Sequence, residues 1–383
     1  MVKIVLGSLF GDEGKGQEVY RLATENTKRK LIVRFSGGAQ AGHRVVTENG
    51  VEHVHSLYGS GTLAGYNTYL GDKVFVDPIS LVKEYEVLKT KMSKVPQIII
   101  SFGCRVVTPY DIYSGLGDKK ITSDGTCGCG IYPTFKRYKY NRGHSNIGFL
   151  IKNADYKNGA VIGEELDHYR EYYNDLGINE KDRELFIKSC EFIYNNPDKF
   201  KINKDSFGFF SRNYSEIIYE GSQGLLLDMD NGFMPNCTPS RTGLNGINPD
   251  NLKDAEVYLV FRSYLTRHGN GYIPKYRKIL EDTYNNLEEP TNLDSGPQGI
   301  FRRGVFDIDL LKRAVDRHHL DNYANMYNCK FNLVMTRANA MSFKDVPYIL
   351  NGELHYCWKN DLMRIIEKEI NKYILVFNTI TYE

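Results

Sequence analysis

The chain opens on an apolar, β-branched run, Val2-Lys3-Ile4-Val5-Leu6, that passes through Gly7 and Ser8-Leu9-Phe10 into Gly11-Asp12-Glu13-Gly14-Lys15-Gly16. Beyond the turn, Val19, Leu22 and Ala23 recur at helical spacing. Strand, glycine-rich turn and helix in that order are the parts of a phosphate loop. Successive glycines let backbone N–H groups face phosphate oxygens, and the helix N-terminus adds its positive dipole. An ordinary glycine turn is the plain alternative. Asp, Glu and Lys fixed between glycines directly after a strand favour phosphate, with Gly11, Asp12, Glu13, Gly14, Lys15, Gly16 and Gln17 as contacts. The usual loop closes on Gly-Lys-Ser/Thr, whose hydroxyl holds Mg²⁺. Here Gly16 follows Lys15, and Asp12 sits inside the loop, where it can hold the metal or move a proton.

Strand candidates lie at 2–7, 31–35, 69–76, 97–102, 217–220, 257–261, 331–335 and 373–377. Helical patterns cover 15–28, 80–92, 181–195, 307–317 and 360–371. Their alternation predicts an α/β fold with a mostly parallel, helix-covered sheet. At 383 residues the chain can bury a large core, and we expect a single domain over 1–383. Residues 103–216 are polar and Gly/Tyr/Asn-rich early and helical later, which predicts an inserted, mainly helical subdomain. Residues 268–304, dense in Gly, Asn, Pro and Asp, predict long substrate loops. The chain carries 49 basic and 47 acidic residues, a net of +2, so charge gives no case for a nucleic acid or a membrane surface. No apolar run approaches the roughly 20 residues of a membrane helix. With seven cysteines and no secretory leader pattern, a reduced, cytoplasmic setting is expected.

Four further segments carry chemistry. Ser36-Gly37-Gly38-Ala39-Gln40-Ala41-Gly42-His43 follows the strand candidate at 31–35. In a parallel sheet such a loop lies near the first one, so His43 and Asp12 suit general acid and general base. Gly125-Thr126-Cys127-Gly128-Cys129-Gly130 has one Cys-x-Cys pair and no second, which argues against structural zinc and for a glycine–hydroxyl phosphate grip. Glu220-Gly221-Ser222-Gln223-Gly224 ends a strand in a turn that aims the Gln223 amide outward, fit to read a purine edge, with Thr238 following on a Pro/Asn/Cys loop. Gln298-Gly299-Ile300-Phe301-Arg302-Arg303-Gly304 pairs arginines between glycines, suited to a dicarboxylate or a phosphate.

In this order, together with Thr266-Arg267 and with Asp307 ahead of Ala314-Val315, these segments resemble the adenylosuccinate synthetase family. The resemblance implies a fold like that of P-loop GTPases, a homodimer, and a ligase that joins L-aspartate to C6 of inosine monophosphate while cleaving a nucleoside triphosphate, usually GTP. It implies that Asp12 takes the N1 proton of a 6-oxopurine and binds Mg²⁺ with the Gly42 carbonyl. His43 would stabilise charge at O6, and Lys15 and Gln223 would complete the catalytic set. Gln40, Ala41, Thr126, Cys127, Arg142, Gln223 and Thr238 would hold nucleotide. Gln298, Gly299, Arg302 and Arg303 would hold aspartate.

The sequence also departs from the family pattern. Thr126-Cys127 stand where the family has two threonines, and Gln40 stands where it has asparagine. The arginine that reaches into the partner's site falls at Asn141 or Arg142, and only two arginines follow Gln298. After the strand at 331–335, Thr336-Arg337-Ala338-Asn339 replaces the Lys-x-Asp that reads guanine, and the C-terminal Gly-Pro element is missing. Asn339 could pair with adenine, which favours ATP over GTP. These changes are similar to phage 2-aminoadenylosuccinate synthetases, which act on dGMP. Asp12, which that branch commonly replaces with a smaller residue, is retained. IMP and dGMP therefore both stand as acceptors. A nucleotide-binding paralogue without ligase activity and a P-loop kinase or NTPase are the competing classes.

Overall fold

The structure, a computed structural model, describes residues 1–118, 127–140, 146–152, 160–274, 276–285, 287 and 298–382. The chain divides into two compact units, one made of Met1–Glu18 with Gly221–Glu383 and the other of Val19–Glu220.

In the first unit the opening strand, Val2–Gly7, runs parallel to Glu256–Arg262, in register from Lys3↔Glu256 to Gly7↔Val260. Glu256–Arg262 pairs in parallel with Lys330–Thr336, and that strand with Val376–Thr381. Ile4, Val5, Leu6, Val257, Leu259, Val260, Phe261, Leu333 and Val334 are buried. Such unbroken apolar runs are what a parallel strand covered on both faces needs. The helices Ile308–Arg317 and Lys359–Ile370 turn apolar stripes inward, led by Leu311, Val315, Leu362 and Ile366. A second sheet joins Tyr264–His268 antiparallel to Phe301–Asp307 and extends through Val346–Leu350 to Glu353–Cys357.

In the second unit the Glu216–Glu220 part of strand Glu216–Gly224, then Lys30–Arg34, Asn67–Leu70, Ile98–Ser101 and Phe200–Asn203 are parallel neighbours in that order, and Glu216–Gly224 runs on through Gln223 as strand where the sequence predicts a turn after Glu220. Helix Pro78–Lys89 starts on Asp77, which accepts from Ile79 N, and Pro109–Gly117 starts on a Thr108/Asp111 capping box. Leu70, Ile98, Ile100, Leu88, Phe186 and Phe200 pack into one core. Between residues 103 and 216 most described elements are helices, including Ile131–Tyr140, Ala160–Tyr172 and Glu180–Asn195. Both units are thus α/β, with a mostly parallel sheet covered by helices.

Several elements differ from their sequence reading. The candidate strand at 69–76 is two pieces. Gly71 N donates to Arg34 O and ends the first, and Phe75–Val76 then pairs with Arg105–Val106. The segment at 373–377 begins as the end of a helix, with Tyr373 N on Ile370 O, and the strand runs Val376–Thr381. The stretch 268–304 contains helix Arg277–Thr283 and the start of strand Phe301–Asp307.

Candidate active site

Within the first unit the glycine turn is a tightly specified loop. Gly11, Asp12 and Gly14 all take positive φ, at 92°, 59° and 93°. Asp12 therefore sits where a side chain costs strain, tolerated most readily by Asp and Asn. Its neighbour Glu13 turns inward. The Glu13 carboxylate accepts from Leu9 N at 2.8 Å, Gly11 N at 3.0 Å and Lys15 Nζ at 2.9 Å, and both Glu13 and Lys15 are buried. Gly7 is required by this pair, because a Cβ there would run into Glu13 Oε2 and Lys15 Nζ. The loop backbone is held from three strands. Thr336 Oγ1 donates to Glu13 O at 2.7 Å, Thr266 Oγ1 to Gly11 O at 3.1 Å, and Arg262 Nε to Asp12 O. The Asp12 carboxylate takes no part in this scaffold. It is partly exposed, and Oδ2 lies 3.5 Å from His268 Nε2. Glu13 shapes the loop, while the Asp12 carboxylate stays outside the loop's own hydrogen bonds.

Gln223 lies on the same unit. Its Oε1 is buried with no hydrogen-bond partner among the described residues, the state expected of an amide whose partner is a ligand. Gly224 follows because a Cβ would strike Leu9 O, and Leu226 N closes on that same carbonyl at 2.9 Å. Asp228, fully buried, accepts from Asp230 N, Asn231 N and Thr242 N and so ties the ends of the loop that carries Thr238.

The antiparallel pair Tyr264–His268 and Phe301–Asp307 sets Arg267 opposite Arg302 and Thr266 opposite Arg303. Arg267 donates to Tyr272 O and Asn236 O, and its guanidinium stands 4.2 Å from the Phe10 ring centroid. Burial, helped by the Arg302 charge, pulls its pKa down to about 10. Burial lowers that of Arg302 as well. No carboxylate pairs with Arg267, Arg302 or Arg303 among the described residues, so the strand pair is a cationic surface that a dianion would neutralise. Gln298 and Gly299 directly precede it, and Gly299 has φ 77°. Asn339 is exposed in the turn after Lys330–Thr336.

The second unit holds a separate centre. After Lys30–Arg34 the chain turns at Gly37, with φ 72°, and Gly38 packs where a Cβ would strike Phe75 O. Ala41 N closes the turn on Gly38 O at 3.1 Å. Both amide atoms of Gln40 are buried without a partner among the described residues. Gly42 then leads into His43, which opens the hairpin His43–Val46/Glu52–His55. His43 Nδ1 is hydrogen-bonded to Glu220 Oε1. Ser60 N at 2.9 Å and Ser60 Oγ at 2.5 Å also donate to the Glu220 carboxylate. Burial alone would raise the Glu220 pKa. The His43 charge and hydrogen bond, with Arg34 and Ser60, outweigh it and bring the carboxyl down to about 2. A carboxylate fixed on Nδ1 sets the ring orientation. Cys127 is part-buried, and Cys129 Sγ lies 3.5 Å from its carbonyl. Thr126 and Arg142 lie outside the described residues.

Sequence reasoning did not single out Arg262, His268, Thr336 or Ser60, which contact Asp12, Glu13 and Glu220, nor the bond of Glu220 to His43. Thr336 and Arg262 end strands beside the glycine loop and could have been found by asking which strands neighbour the first.

A glycine loop after the first strand of a parallel, helix-covered sheet, with one loop carboxylate outside the loop's own hydrogen bonds, is the α/β architecture of a P-loop NTPase-like fold. The chain belongs to the adenylosuccinate synthetase family, whose model matches residues 4–328, and it is accordingly a C–N bond-forming ligase. It is 32% identical to the adenylosuccinate synthetase of Thermoplasma volcanium over 84% of this chain and 74% of that one. It is 33% identical to that of Clostridium botulinum over 92% and 82%. Its fold is similar to fully ligated adenylosuccinate synthetase from Plasmodium falciparum, with a TM-score of 0.73 at 20% identity, covering 99% of this chain and 96% of that one. It is also similar to the cyanophage S-2L succinoaminodeoxyadenylate synthetase PurZ bound to dGMP and dATP, with a TM-score of 0.66 at 15% identity, covering 99% and 91%. Among the described residues no helix is long and apolar enough to cross a membrane.

Proposed function

We propose that the chain joins L-aspartate to C6 of a 6-oxopurine 5′-monophosphate through a 6-phosphoryl intermediate, with ATP as the preferred donor. The observation that carries this reading is the division of labour in the glycine loop. Glu13 is consumed by the loop's own amides and Lys15, while the Asp12 carboxylate stays outside that network, with His268 Nε2 3.5 Å from Oδ2.

Asp12 takes the N1 proton of the purine, which builds charge on O6. O6 then attacks the γ-phosphorus, the bond to the β-phosphate oxygen breaks, and the nucleoside diphosphate leaves. His43, protonated and oriented by Glu220, stabilises the charge that builds on O6. The aspartate amine, unprotonated, next attacks C6, the C6–O6 bond breaks, inorganic phosphate departs, and the new C–N bond sheds one amine proton to solvent. Lys15 and the loop amides neutralise phosphate charge. Gln40, Ala41, Cys127, Gln223 and Thr238 hold the monophosphate nucleotide, with Thr126, and Arg142 of a homodimer partner, as further candidates. Arg302 and Arg303, preceded by Gln298 and Gly299, bind the aspartate carboxylates. The oxygen donors of Asp12 and Gly42 suit a hard cation, so Mg²⁺ would be held there and would supply charge neutralisation at the phosphates.

The exposed amide of Asn339, in the turn after the strand Lys330–Thr336, supports an adenine over a guanine donor. Retention of Asp12 supports IMP as acceptor. The missing guanine-reading carboxylate supports the dGMP reading, by likeness to phage enzymes. A matrix of ATP or GTP with IMP or dGMP, plus aspartate and Mg²⁺, tests all of this by chromatographic detection of a succino-purine. Product with IMP and ATP is expected. Product with dGMP alone would move the chain to the second acceptor, and phosphate release independent of aspartate would overturn the ligase mechanism.

A further inference from the structure

Beside the His43 centre, but not part of it, three buried side chains of the second unit converge with unspent ligand atoms. His53 and His55 alternate with exposed Val54 on the strand Glu52–His55, so period-two alternation puts both imidazoles on one face. Their rings are 4.6 Å apart. Opposite them stands Glu84 of helix Pro78–Lys89. Its carboxylate is pinned by three backbone amides, Ser56 N on Oε1 at 2.9 Å and Leu57 N and Tyr58 N on Oε2 at 2.7 and 3.2 Å. Oε1 thereby keeps a free lone pair aimed at the imidazoles. His53 Nε2 is 3.5 Å from that oxygen and His55 Nδ1 is 3.9 Å. Neither nitrogen has a hydrogen-bond partner among the described residues, and nor does His55 Nε2. Buried imidazoles without partners are costly unless something else occupies the lone pairs.

We infer that His53, His55 and Glu84 form a binding site for a divalent transition-metal ion of the zinc type, distinct from any Mg²⁺ at the phosphates. Two atoms bound to one zinc ion at tetrahedral angles lie about 3.4 Å apart, given Zn–N distances near 2.1 Å. The His53–Glu84 spacing of 3.5 Å already meets this, and one ligand atom from each residue falls within a 4.8 Å set. Two neutral imidazoles and one carboxylate select zinc-like ions over Mg²⁺ and Ca²⁺, which take oxygen. The amides that orient Glu84 are the supporting contacts a metal ligand needs. Lys91 Nζ lies 3.3 Å from His53 Nδ1 and 2.7 Å from Glu52 O. With Nε2 on a metal, Nδ1 carries the proton, and Lys91 keeps only its bond to Glu52 O. The site joins the hairpin that His43 opens, where His43 pairs with His55, to the helix behind it, so an ion there would stiffen the strand paired with the one that carries His43.

The test is Zn²⁺ titration of the chelator-treated, full-length chain against a chromophoric competitor, with Mg²⁺ in excess to fill oxygen-only sites. Thermal melts with and without Zn²⁺ and the visible absorption of the Co²⁺-loaded protein accompany it. One tight equivalent is expected, with a Zn²⁺-dependent rise in melting temperature. His53→Ala and His53→Gln should lose affinity by more than the roughly 10–100-fold that removing a group that merely supports a ligand costs. They should also abolish the melting shift and the Co²⁺ bands, with the metal-free fold kept by circular dichroism. No tight equivalent in the unmodified chain, or affinity unchanged in both His53 variants, would overturn the site. Either outcome leaves the ligase reading untouched, because succino-purine formation is measured separately.

Discussion

Adjacent residues in the glycine loop carry opposite duties. Glu13 is buried and saturated by Leu9 N, Gly11 N and Lys15, so it acts as scaffold. Asp12, at φ 59°, holds its carboxylate clear of that network. Asp12→Ala should cut turnover by about 10²–10⁴-fold, the range of a lost general base, while nucleotide affinity measured by calorimetry changes far less. Near-normal turnover would remove Asp12 from its role. Gly7→Ala places a methyl against the Glu13–Lys15 pair and should destabilise by about 1–3 kcal/mol, as overpacking does, read as a lower midpoint of chemical unfolding. In the second unit the Glu220 carboxyl is depressed from 4.5 to about 2. A carboxyl depressed in the folded state stabilises fully above its unfolded value, and the gain disappears as pH falls from about 4.5 toward 2. Glu220→Gln should therefore unfold with a flatter pH dependence below about pH 4.5 than the parent, and should lower kcat more than it raises KM. A parallel acid limb in both proteins would contradict the assignment.

At the scale of elements, strand ends decide what each side chain can do. The register Arg267↔Arg302 and Thr266↔Arg303 turns two separate motifs into one cationic strand pair. Arg302→Ala should raise the KM for aspartate about tenfold or more, as loss of a charge-assisted contact of roughly 1.5–3 kcal/mol implies, with the KM for the purine nucleotide nearly unchanged. A rise confined to the purine would reassign the pair to phosphate. Much of this level was legible in the sequence. The run Val2–Gly7 was readable because both its faces are covered, and the glycines after it because only they fit the turn. The hairpin His43–Val46/Glu52–His55 was not, because its strands are four residues long and mix His, Arg and Glu with valine. The Phe301–Asp307 strand was hidden behind a polar stretch that reads as loop. Glu220 and His43 stand 177 residues apart, so no local pattern could announce their bond. Only the adjacency of Glu216–Glu220 to Lys30–Arg34 makes it.

Over the whole molecule, near-neutral charge, parallel sheets under helices and a family match over residues 4–328 agree on a nucleotide ligase, while its acceptor, donor and dimer belong to the proposal. The central claim is that the purine oxygen leaves as phosphate. It is tested most directly with IMP labelled with ¹⁸O at C6, incubated with aspartate, Mg²⁺ and ATP, the released inorganic phosphate being examined by mass spectrometry. One ¹⁸O is expected in each phosphate formed alongside succino-purine. Phosphate that takes its fourth oxygen from solvent water, with the label left on the purine, would contradict it.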